Sequence, residues 1–169
     1  MATITYQTET AENATDKTFN NLRLFNVIMG VIHSVQAILM LILSTDFAIP
    51  MTTQFLQFDQ SRPPGEQIFP NMQSAFDVQM APFIASFLAM SAIAHFLIAG
   101  PLFDRYKDML KQEINFFRWY EYALSSSVMI VALAMFVGIS DIAALLAIFA
   151  ANAAMNLFGL LMESMNRYT

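Results

Sequence analysis

The 169-residue chain contains no cysteine, which excludes disulfides, thiolate metal sites and cysteine nucleophiles. Charge is also scarce. Asp, Glu, Lys and Arg make up 12% of the residues, against about 25% in soluble domains, so too few charged groups exist to coat a water-exposed surface. Histidine occurs only twice, at His33 and His95. With no HExxH or other close ligand spacing, a metal centre is not expected. A glycine-rich phosphate loop is missing and no catalytic arrangement emerges, so an enzyme is not expected either. The net charge of −5 comes without any compact basic patch, which argues against nucleic acid as a partner.

What the chain has in abundance is apolar residues, at 57%. Four apolar segments, 24–43, 78–100, 116–139 and 142–162, each approach the roughly 20 residues a helix needs to cross hydrocarbon. Helix is dictated because backbone N–H and C=O groups find no water in a bilayer core and must pair within their own segment. With their ends included, spanning helices are predicted at about 22–45, 78–100, 114–139 and 141–164, in a single membrane domain covering 1–169. Residues 1–20 are polar and acidic, unlike a cleavable signal peptide, and read as a cytoplasmic tail.

Lys and Arg near helix ends are retained on the cytoplasmic side. Lys17 and Arg23 precede the first segment, Arg105, Lys107, Lys111 and Arg118 lie between the second and third, and Arg167 follows the fourth. Only Arg62 falls on the other side. Both termini are therefore expected to be cytoplasmic in a multi-pass protein of the cell membrane. The first outward loop, 46–77, carries Arg62-Pro63-Pro64-Gly65 flanked by Phe55, Phe58, Ile68 and Phe69. That pattern suits a turn between two short extended arms, with an irregular surface loop as the equal alternative. The third loop, Gly138-Ile139-Ser140-Asp141, is tight. It makes helices three and four antiparallel neighbours, with Ser140 or Asp141 available as N-cap.

Ionisable side chains inside a span are costly, so each marks a candidate site. His33 lies about ten residues inside Arg23, which is roughly 15 Å along the helix. His95 and Glu121 also fall in the cytoplasmic half of their spans, Glu121 just beyond an amphipathic lead-in, 111–117, to the third helix. Depth permits the three to share one pocket. Other readings stand beside this one. Glu121 could pair with Arg118 at i, i+3 within an aromatic belt, and each histidine could make a single interhelical hydrogen bond and nothing more. Ser125 lies one turn from Glu121 and could bond its carboxylate. Ser126, Ser127, Asn152 and Asn156 suit interhelical hydrogen bonding, and Met129 and Met135 suit either core packing or a pocket for an apolar ligand.

The run Asn21-Leu22-Arg23-Leu24-Phe25-Asn26, followed by Met29-Gly30 and His33, resembles the first helix of the heliorhodopsins. The block from Arg118 to Glu163, beginning RWYEYALSSSVMI, is similar to the same family almost throughout. This resemblance implies an all-α membrane protein, a four-helix bundle corresponding to the N-terminal part of a seven-helix rhodopsin fold. It also implies retinal as cofactor and light reception as function. By position, Glu121 would be the counterion of the protonated retinal Schiff base. An opposite charge nearby keeps such a buried iminium protonated. His33 and His95 would line the polar cavity beside it, where imidazoles can accept or relay a proton. Ser125, Ser126, Ser127 and Met129 would lie along the polyene, and the long first loop would contribute to a homodimer interface.

The chain departs from the family in one major respect. The family attaches retinal through a lysine in the seventh helix, whereas the lysines here, Lys17, Lys107 and Lys111, are expected outside the spans. Asn156 also stands where an apolar residue is expected, and Ala150 where a glycine is expected. The leading expectation is a heliorhodopsin-like light-sensing protein, or a truncated or split part of one. It would keep the counterion half of the retinal site, and its partners would be the bilayer and either a second copy or the missing helices. The competing expectation is a non-photoactive four-helix interaction protein of the same ancestry.

Overall fold

The computed structural model describes residues 16–166. The expected tail, 1–20, lies mostly outside the described residues, as does Arg167. In chain order the elements are α1 (Asp16–Ile42), β1 (Ala48–Phe58), β2 (Ile68–Gln79), α2 (Met80–Ala99), α3 (Phe103–Lys111), α4 (Phe116–Phe136) and α5 (Ile142–Met165). Four of them, α1, α2, α4 and α5, are long and apolar enough to cross a membrane. Their outward side chains are themselves apolar, Leu24, Ile28, Val35, Leu146 and Phe158 among them, as lipid-facing surfaces require.

The spanning helices pack in sequence, α1 on α2, α2 on α4 and α4 on α5. Close approach depends on small residues. A Cβ at Gly30 would lie 2.8 Å from the Phe96 ring, and one at Gly159 would collide with the Trp119 indole, so both rings lie directly on a neighbouring backbone. Arg23 on α1 donates from Nε to the Ala99 carbonyl at 2.7 Å, placing a cation at the C-terminus of α2, where the helix dipole favours it.

The first loop is a long antiparallel hairpin in place of two short arms. β1 and β2 pair from Ala48↔Gln79 to Phe58↔Ile68, with a bulge where Met51↔Phe76 is followed by Thr52↔Ser74, leaving Ala75 as the extra residue. At the tip the Glu66 amide donates to the Pro63 carbonyl at 3.0 Å, and Gly65 has φ +97°. Proline second and a left-handed glycine third are the requirements of a type II turn. A two-stranded hairpin is marginal alone, and this one is anchored at its base. The Thr52 amide donates to the Ser140 carbonyl at 2.8 Å, their hydroxyls lie 3.2 Å apart, and the Phe47 and Phe136 rings stack at 6.2 Å. Beneath it Met80, Val131, Met135 and Leu145 form the buried core, with Ile49, Met51 and Val78 packed on them.

Several boundaries differ from expectation: α1 begins at Asp16 and not near 22, and α4 ends at Phe136 and not near 139. Helix α1 ends at Ile42. Val78 and Gln79 close β2 and α2 begins at Met80, because β-branched Val78 pairs with Ile49 and packs into that core. A separate amphipathic helix, α3, with Tyr106 buried and Asp104, Arg105 and Asp108 exposed, precedes the third span and ends at Lys111, so the expected lead-in, 111–117, holds only its last residue, a turn and the start of α4. It is cut from α4 by Glu113 at φ 59°, after which Asn115 caps α4 by accepting from the Arg118 amide at 3.2 Å. The tight third loop is as anticipated: Asp141 caps α5 through the Ala144 amide at 2.9 Å.

A polar cluster where four helices meet

Glu121 sits one and a half turns into α4, far enough from the helix end that its carboxylate must find protein partners. That partner is Ser91 of α2, whose hydroxyl donates to Glu121 Oε1 at 2.5 Å. The hydrogen bond therefore comes across the α2–α4 contact and not from Ser125. The alternative pairing with Arg118 also fails. Arg118 lies over the Trp119 ring at 4.5 Å and 3.7 Å from Glu163, directed to α5.

One turn along α2 from Ser91, His95 stacks on His33 of α1, with ring centroids 5.6 Å apart and planes 15° from parallel. His95 lies within electrostatic reach of both His33 and Glu121, so the three residues singled out in the sequence do come together. His95 Nδ1 is 2.8 Å from Asn26 Oδ1, and His33 Nδ1 is 3.1 Å from Gln36 Oε1. Buried Asn26 also bonds the Leu22 carbonyl at 2.9 Å and lies within electrostatic reach of the Tyr106 hydroxyl of α3. Burial pushes the Tyr106 phenol above its usual range, while the nearby Asn26 amide acts against the rise. The cluster thus draws on α1, α2, α3 and α4.

The serine run points elsewhere. Asn152 of α5 donates to Ser126 Oγ at 2.8 Å and to Ser127 Oγ at 3.0 Å. Asn156 donates to Ser126 Oγ at 3.2 Å and to the Asn152 carbonyl at 2.9 Å. Ser127 is fully buried. These residues tie α4 to α5, and Asn156, unexpected as a polar residue, is satisfied within that tie. Ser125 is buried and Met129 partly exposed on α4. Among the described residues, no three His, Cys, Asp or Glu come close enough to share a metal ion. Lys17 stands at the first turn of α1 and Lys111 at the last of α3. Lys107 and Lys111 lie over the Phe19 ring at 5.3 and 5.9 Å. A separate apolar groove of about 510 Å³ between α4 and α5 is lined by Phe116, Tyr120, Leu157, Phe158, Leu161 and Ser164.

Sequence reasoning missed Ser91, Asn26, Tyr106 and Glu163. Spacing held a signal for two of them. Asn26 lies seven residues before His33, two turns away on the same face, and Ser91 lies four before His95. Tyr106 and Glu163 carried none, because their roles depend on how α3 and α5 return to the bundle.

No curated protein matches the chain. The heliorhodopsin family model matches residues 22–169, a range that includes the hairpin, all of α2 through α5 and most of α1. With that match spanning nearly its whole length, the chain belongs to the heliorhodopsin family.

Proposed function

We propose that this chain is the counterion-bearing part of a light-sensing heliorhodopsin, with Glu121 as counterion and His33 and His95 as the lining of its polar cavity. The observation that carries this reading is the setting of Glu121. It is a carboxylate within a span, held by Ser91 and close to the stacked histidines. An anion so placed suits a cationic chromophore, whose protonated state it would favour. Retinal, when bound, supplies the light absorption and the buried positive charge. Ser91 orients the carboxylate, and Asn26 and Gln36 orient the two imidazoles. Ser125 and Met129 remain candidates for the pocket wall, while Ser126 and Ser127 would support it from the α5 side.

No lysine of this chain lies in the interior of a span, so the attachment amine would come from further helices. The cytoplasmic placement of the N-terminus belongs to the same reading. Lys17, Arg23, Arg105, Lys107, Lys111 and Arg118 gather at one end of the helices and Arg62 lies at the hairpin tip, as retention of positive charge on the inside predicts.

Adding all-trans retinal tests the proposal. The purified chain alone should form no visible, hydroxylamine-sensitive pigment. Co-expression with three further spans, the last carrying a lysine, should produce one. Pigment from the chain alone would overturn the lysine argument, and failure of the co-expressed protein to bind retinal would overturn the light-sensing reading.

A second reading, a non-photoactive interaction protein, rests on a hairpin surface that the homodimer implied by the family resemblance would also use. Leu56, Phe58, Ile68 and Met72 share one face of the hairpin and are each at least 64% exposed. Such a patch suits a second copy of the chain, and the oligomeric state in detergent with and without Leu56→Ser/Phe58→Ser would test it.

A further inference from the structure

Asn26 is a buried amide in a span, and its two ends are distinguishable by chemistry. One end lies 2.9 Å from the Leu22 carbonyl. A carbonyl only accepts, so the group facing it must be the amide NH2, and the oxygen must be the atom facing His95. That oxygen only accepts, and it is 2.8 Å from His95 Nδ1. His95 Nδ1 must therefore carry a hydrogen. In a neutral imidazole one nitrogen donates and the other accepts, so the basic nitrogen is Nε2.

We infer that Asn26 is a positioning residue that fixes His95 as its Nδ1–H tautomer, leaving Nε2 as the nitrogen that takes up a proton in this cluster. The Leu22 carbonyl sets which way the amide points, and the amide sets which way the imidazole is protonated. A proton gained by His95 then lands on Nε2, forming a cation stacked on His33 and within reach of Glu121. The inference stands on hydrogen bonding alone and does not depend on whether retinal binds.

Nitrogen NMR of the chain labelled with 15N-histidine, in micelles at a pH where both rings are neutral, reads the tautomer directly. The His33→Gln variant identifies the His95 signals. The expected result is a protonated Nδ1 and an unprotonated Nε2 in the unaltered chain. A hydrogen on Nε2 instead would overturn the inference without any substitution that risks the fold. Asn26→Leu should abolish the Nδ1–H preference, whereas Asn26→Asp, which keeps an acceptor, should retain the Nδ1 hydrogen. Persistence of the same neutral tautomer in Asn26→Leu would remove Asn26 from this role.

Discussion

The Trp119 indole donates from Nε1 to Glu163 Oε2 at 2.5 Å, crossing the α4–α5 contact directly above Gly159. The same carboxylate accepts from the Asn115 amide at 3.1 Å and faces Arg118 at 3.7 Å, so one side chain joins the end of α5 to the first turn of α4. Glu163→Ala leaves the indole and an N-terminal amide without their acceptor. It should lower stability by about 1–3 kcal/mol, and Gly159→Val by a similar ~1–3 kcal/mol because the ring cannot yield to a new side chain without leaving its place. Thermal unfolding in detergent monitored by tryptophan fluorescence checks both, since Trp119 is the sole tryptophan.

Ser126 and Asn152 should be energetically coupled. Their hydrogen bond crosses between spanning helices at 2.8 Å, and such bonds average about 0.6 kcal/mol and reach about 1.7 in membrane proteins. A double-mutant cycle with Ser126→Ala and Asn152→Leu should return a coupling in that range. Strict additivity would mean that Asn156 takes over the contact.

Thr52→Pro should release the hairpin from the bundle. It removes the amide that bonds Ser140 at 2.8 Å, since proline has no N–H. Thr52→Val keeps that amide and loses only the hydroxyl contact at 3.2 Å, costing about 0.5–1.5 kcal/mol. Limited proteolysis near the tip should accelerate several-fold in the first variant and little in the second.

Tyr106 should be a late tyrosine to ionise. Burial, the largest cause, raises its pKa, so its contribution to stability is fully present below the unfolded value of about 10 and is lost as pH rises through the higher folded value. Ultraviolet titration of the chain minus that of Tyr106→Phe should show the missing component at the alkaline end. Its appearance at the ordinary tyrosine midpoint would contradict the burial of the ring.

In a pigment formed with three further spans, the last carrying a lysine, Glu121→Gln should move the absorbance maximum strongly to the red and make the chromophore easier to deprotonate, because the stabilising anion is gone. An unshifted spectrum would remove Glu121 from the counterion role.

The spanning helices were legible because lipid imposes a one-dimensional rule: about 20 apolar residues in succession must be helix. The hairpin was only half legible. Pro64 and Gly65 mark its tip, but its length is decided by docking onto Ser140 and by burial of Met51 and Val78, neither of which is local. The break between α3 and α4 was missed because Gln112 and Glu113 are unremarkable helix residues by propensity. There, capping by Asn115 wins.

For the polar cluster, spacing along each helix placed His33, His95 and Glu121 at compatible depths, and motif similarity suggested their roles. Partner choice was beyond it. That Glu121 is held by Ser91 and not Ser125, that Arg118 turns to Glu163, and that Asn26 faces His95 all depend on helix rotation and close approach. The sequence by itself determined the number of spans and which residues are too polar to face lipid, because hydrophobicity acts residue by residue. Only the tertiary structure decided which of those polar residues satisfy one another, because a hydrogen bond requires two groups from different helices within about 3 Å.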